Sequence, residues 1–163
     1  MTNPTSDNRE AIDKVRELIK DISTAMLTTV SDEGLVSRPM KTQEMDSDGS
    51  LWFLTQKDSG KFHELIRNQQ VNVAYADKSF VSIRGTAELV EDVEKLKQFW
   101  NPMYEELLET TYDDPNLVLI KVHPETAEYW DSGNKFKMAK FMLRRLLGKN
   151  TEGTEINRIV EMS

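Results

Sequence analysis

Two segments of the chain carry residue types that could hold an anion. Arg38-Pro39-Met40 sits in the middle of a run of β-formers. Proline has no N–H for a sheet ladder, so a strand that carries it is an edge strand or is bulged there. A guanidinium beside such an edge offers a planar fork of donors that matches phosphate. The second segment, residues 55–61 (TQKDSGK), gathers the hydroxyls of Thr55 and Ser59, two lysines and a flexible glycine just before a helical pattern. Helix N-termini attract anions through unpaired N–H groups and the macrodipole. The spacing is not that of the nucleotide-binding Walker loop. Each segment also has a plainer reading: a surface Arg on a proline-guarded edge, and a helix capped by Asp58 or Ser59. Taken together, Arg38, Ser59 and Lys61 make a candidate phosphate cradle.

The elements that must position these residues follow from periodicity. Residues 8–20 place Ile12, Val15, Leu18 and Ile19 at helical spacing. From Thr24 the pattern turns to β: strands at 24–30, 35–45 and 50–55, separated by Asp32-Glu33-Gly34 and by DSDG at 46–49. The third, SLWFLT, is continuously apolar and should be buried on both faces. A helix over 59–68 follows, then strands at 70–76 and 79–90. A helical stretch at 92–110 is interrupted at Asn101-Pro102, where proline forces a break or a new first turn. A strand at 117–122 is extended by 127–130 beyond His123-Pro124, a basic helix is expected at 135–147, and 149–163 reads as a loose polar tail. Strands joined by turns this short are antiparallel. Periodicity alone leaves several six-stranded barrels open.

Composition removes other classes of function. The 163 residues favour one domain, taken as 1–148 with a C-terminal tail. The net charge of −7 argues against general nucleic-acid binding. No apolar run approaches a membrane span, and the polar first ten residues lack a secretion signal. The chain has no cysteine, which excludes disulfides and thiolate chemistry and fits a reducing, cytoplasmic interior. The two histidines, His63 and His123, have no partner at ligand spacing, so a metal site or a Ser-His-Asp triad is not expected. The run from Lys135 to Lys149 is basic without an acid. Its simplest role is a helix packed on the body of the protein, and the acidic remainder argues against a membrane role.

The order SRPM, LWFLTQKDSGK, VSIRGTAELVED, FWNPMYE, DDPNLVLIKVHPETAEYWD resembles the pyridoxamine 5′-phosphate oxidase-like FMN-binding proteins, and within them the bacterial general stress proteins. The resemblance runs from about Val15 to Leu147. It implies a mainly β (α+β) fold, a six-stranded antiparallel split β-barrel with peripheral helices, working as a homodimer with FMN at the subunit interface. Carried over residue by residue, Arg38 falls on the phosphate-binding Arg, with Met40, Thr42 and Gln43 beside the flavin on the same strand. Leu54 and Thr55 fall against the isoalloxazine, and Ser59 and Lys61 complete the phosphate site. Trp130, with Trp100 second, falls on the aromatic contributed by the partner subunit.

Two departures stand out. Trp130 is followed by DSGNKFKM, without the Arg and His that hold the oxidase's pyridoxal substrate. Gly60 stands where the oxidase has a second phosphate-binding cation. Both argue against synthesis of pyridoxal phosphate. The expected function is an FMN-dependent oxidoreductase of unknown substrate, since the cofactor carries the chemistry. A non-catalytic flavin-binding or redox-sensing stress protein is the alternative, with a haem carrier on the same barrel behind it.

Overall fold

The computed structural model describes residues 6–130, 143–148 and 157–163. The chain opens with α1 (Ser6–Ile19), whose Ala11, Ile12, Val15 and Ile19 are buried at the spacing of one helix face. Next come β1 (Thr24–Ser31) and β2 (Gly34–Lys41), an antiparallel hairpin that reverses over Asp32-Glu33. Gly34 closes this turn at φ +118°, a conformation side chains rarely adopt. Then follow β3 (Glu44–Met45), β4 (Leu51–Gln56), α2 (Gly60–Arg67), β5 (Gln70–Ala76) and β6 (Phe80–Val90). After α3 (Val93–Phe99) and α4 (Pro102–Leu108), the chain ends on β7 (Leu117–Trp130) and β8 (Asn157–Glu161). Asn101 caps α4 and Pro102 opens it, as the sequence requires.

The strands form one antiparallel sheet in the order β2-β1-β5-β6-β7-β4-β3, with β8 on β7. The expected single strand at 35–45 is two strands, because this stretch closes the barrel. β2 lies on one edge of the sheet beside β1, and β3 lies on the other edge beside β4. The crossing falls between consecutive residues: Thr42 N donates to Ser23 O, whereas Gln43 N donates to Trp52 O. Beyond that point the edges part. Among the described residues no strand pairs with the second edge of Phe53–Gln56, so the barrel is split there.

Eight strands therefore replace the expected six. One of the extra two comes from this closure. The other corrects the loose polar tail: Asn157–Glu161 pair with Trp130–Thr126 of β7. Met162 is buried in the core, and its N–H donates to Glu125 O. The tail is polar in composition because β8 is an outer strand, with Ile159 exposed and Val160 packed against the core.

β7 is continuous through His123-Pro124. Its register against β6 slips at Arg84/Gly85, with Arg84 opposite Thr126 and Gly85 opposite Pro124, so Glu125 bulges. The main core lies inside the barrel under α1, and includes Leu27, Phe53, Tyr75, Ile83 and Ile120. A second cluster packs α3 and α4 on the outer face of β4 and β7, around Trp52, Leu96 and Leu119. Strand alternation divides β4 accordingly, with Leu51 and Phe53 facing in, Trp52 and Leu54 facing out. β4 is thus buried on both faces, as its apolar run requires. Of the expected basic helix, residues 135–142 lie outside the described residues; 143–146 are helical, and the Arg145 guanidinium lies 5.4 Å over the Trp130 ring.

Candidate functional site

Arg38 and Met40, two apart on β2, share the inward face, and β2 is the edge strand that Pro39 implied. Met40 is buried in the core. The Arg38 side chain is four-fifths buried and tightly held. Its Nη1 donates to Thr29 Oγ1 (3.0 Å) and its Nη2 to Glu64 Oε2 (2.9 Å). Thr29, fully buried on β1, donates in turn to Glu64 Oε2 at 2.5 Å. The ring Arg38–Thr29–Glu64 ties β2, β1 and α2 together. Neither Thr29 nor Glu64 was among the expected site residues. Only the register, which sets Arg38 opposite Leu27 and diagonal to Thr29, brings them in.

The 55–61 segment folds as a strand end, a turn and a helix start. Ser59 caps α2 in extended conformation, and its Oγ accepts from Phe62 N. The Thr55 and Ser59 hydroxyls share a hydrogen bond of 3.2 Å. Lys61 lies in the first turn of α2 and makes no ion pair among the described residues. Burial and the neighbouring Arg38 charge lower its pKa, and Glu64 opposes them. Arg38 and Lys61 are therefore close enough to repel. Arg38, Lys61 and Glu64 interact electrostatically, and the Thr55 and Ser59 hydroxyls sit at the start of the helix that carries Lys61 and Glu64. An anion is the species that such a set stabilises.

The remaining expected residues divide. Thr42 points inward and shares a 2.6 Å hydrogen bond with Tyr75 OH, whose burial pushes its pKa to about 12. The Gln43 amide exchanges hydrogen bonds with Tyr104 OH on α4, at 2.8 and 3.0 Å. The Lys41 ammonium lies 5.5 Å from the Tyr104 ring. Tyr104 was not foreseen; its only sequence signal is the Asn101-Pro102 start that fixes where α4 begins. Leu54 and Thr55 are neighbours on opposite faces of β4, so one ligand meets both only along the unpaired backbone edge. Trp100 packs in its own chain's outer cluster with Leu54.

Trp130 lies far along β7 from the strand that carries Leu54 and Thr55. Leu119, the β4 partner of Leu54, precedes it by eleven residues, about 36 Å of strand. Among the described residues, two buried side-chain nitrogens lack an acceptor, the indole N–H groups of Trp100 and Trp130. The two nitrogens lie apart, Trp100 in the outer cluster and Trp130 at the end of β7, so the fit to a phosphorylated ligand rests on the cradle.

The cradle has an acid limit. Burial raises the Glu64 pKa, but hydrogen bonds from Thr29 and Arg38 and the charges of Arg38 and Lys61 outweigh it and lower the value below 4.5. A carboxylate whose folded pKa is depressed contributes stability above its unfolded pKa and loses it as pH falls through the folded one. Thermal melts of wild type should therefore fall faster below about pH 4.3 than those of Glu64→Gln. Parallel curves would remove Glu64 from the acid response.

A family model described as pyridoxamine 5′-phosphate oxidase like matches residues 10–153. No curated protein matches the chain. Among solved structures, General Stress Protein 26 of Bacillus anthracis is 28% identical, with 74% of this chain and 93% of that one covered and a TM-score of 0.64. The general stress FMN/FAD binding protein of Xanthomonas citri is 30% identical over 76% of this chain and 91% of its own, with a TM-score of 0.63. A pyridoxamine 5′-phosphate oxidase-related, FMN binding protein of Nostoc punctiforme shares the fold at 15% identity, with 82% and 89% covered and a TM-score of 0.57.

Proposed function

Because the chain belongs to the pyridoxamine 5′-phosphate oxidase like family, we propose that it is a flavoprotein which binds FMN between two copies of itself and serves as an FMN-dependent oxidoreductase. The observation that carries the reading is the pair of cations Arg38 and Lys61 around the single carboxylate Glu64, on the helix whose start Ser59 caps. There the phosphate would take the cradle, and the ring would lie along the open edge of β4, near Met40, Thr42 and Gln43. The name of the Xanthomonas citri relative, an FMN/FAD binding protein, supports a flavin. A single phosphate cradle, with no dinucleotide fingerprint in the sequence, favours FMN over FAD.

The family resemblance supports the dimer: Trp130 falls on the aromatic that the partner subunit brings to the ring, so each site needs both subunits. Bound flavin would supply hydride or single-electron chemistry, and the residues named here bind and orient it.

The test combines three measurements on purified protein. Chromatography of the heat-released cofactor should give FMN; FAD as the main species, or no flavin after incubation with FMN, would sink the reading. Light scattering should show a dimer carrying one FMN per chain, and a monomer with stoichiometric FMN would contradict the shared site. Stopped-flow reduction by NADH and NADPH then separates an oxidoreductase from a flavin-binding stress protein.

A further inference from the structure

Glu64 is the carboxylate bonded to Arg38 in the cationic cradle. It accepts from Arg38 Nη2 and Thr29 Oγ1, one turn along α2 from Lys61, and its side chain is four-fifths buried. A guanidinium has five N–H donors. The Thr29 and Glu64 bonds use two of them, one on each terminal nitrogen. Three are left for a ligand, in an orientation fixed from two elements. Such a clamp lowers the entropy lost when an anion is gripped. The same carboxylate also cancels one of the two cations, and at this depth it opposes a doubly charged phosphate.

We propose that Glu64 is a positioning and charge-limiting residue of the phosphate site: it aims Arg38 at the phosphate and holds affinity for a phosphomonoester dianion below what two free cations would give. This rests on the reading of the cradle as a phosphate site. The two roles oppose each other, and the substitutions separate them. In Glu64→Gln the amide oxygen still accepts from Arg38 and Thr29, so aim is kept and charge is removed. In Glu64→Ala both go. A plain structural role predicts neither pattern, because it would move ligands with and without a phosphate alike.

Fluorescence titration at neutral pH with FMN and with riboflavin provides the readout. Glu64→Gln should bind FMN about tenfold tighter than wild type, the order expected for one like charge removed at several ångströms in a partly solvated site. Riboflavin should stay within about twofold, since it lacks the phosphate. Glu64→Ala should bind FMN more weakly than Glu64→Gln. Unchanged or weaker FMN binding by Glu64→Gln, or an equal change for riboflavin, overturns the proposal.

If wild type binds neither flavin, the flavin reading fails, and inorganic phosphate still decides the role of Glu64. A phosphate-induced rise in melting temperature that is larger in Glu64→Gln supports it. An equal rise, or none in either protein, overturns it.

Discussion

Arg38→Ala should weaken FMN binding by about a hundredfold or more, and Lys61→Ala by only about tenfold. With the proposed phosphate in the cradle, each change removes a charge-assisted contact worth about 1.5–3 kcal/mol, with ~1.4 kcal/mol to the decade. The asymmetry comes from what is left behind. Lys61 has no ion-pair partner among the described residues, so its loss strands nothing. Removing Arg38 strands the Glu64 carboxylate, buried and bonded only to Thr29, beside an incoming phosphate. A second substitution should therefore restore part of the loss: Arg38→Ala/Glu64→Gln should bind FMN better than Arg38→Ala alone. Titration with riboflavin is the control. Equal losses for FMN and riboflavin would place Arg38 away from the phosphate, and a double variant no better than the single would show that Glu64 exerts no repulsion.

Gly85→Ala should cost about 3 kcal/mol of stability or more, at the top of the range for forcing a group into a packed interior. A Cβ built at Gly85 falls 2.3 Å from His123 O, 3.0 Å from His123 C and 3.1 Å from Pro124 Cα. All three are backbone atoms of β7, and no side-chain rotation relieves them. The strands must move apart at the bulge, where the register between β6 and β7 already slips. Gly60→Ala is the contrast: its Cβ meets nothing within 4 Å, and it opens α2. It should be neutral or slightly stabilising. Urea unfolding midpoints with unchanged slopes would measure both. A Gly85→Ala protein within 1 kcal/mol of wild type would show that the bulge yields easily.

What was legible in the sequence was local. The Asp32-Glu33-Gly34 reversal, a helix cap at Asp58 or Ser59, the interruption at Asn101-Pro102 and the two-sided burial of β4 are set by neighbouring residues, and the structure has each, with Ser59 as the cap. What was not legible depends on partners distant along the chain. Residues 35–45 read as one strand because nothing local marks Thr42-Gln43 as the place where the chain passes from one edge to the other. Glu64 read as an ordinary helix residue; its meaning comes from β1 and β2 lying across from it. Tyr104 meets Gln43 across sixty-one positions. Asn157–Glu161 read as a tail because a five-residue edge strand rich in polar groups carries a weak β signal.

That last strand also guards the protein against itself. The half of β7 from Thr126 to Trp130 bonds to β6 along one edge and to β8 along the other. Without Asn157–Glu161, the second edge would be a row of unpaired N–H and C=O groups, with buried Ala127 and Tyr129 behind it. Such an edge is a template onto which another extended chain can add. The few residues of β8 thus protect solubility out of proportion to their number. A shortened chain could keep its phosphate cradle and still be lost to aggregation.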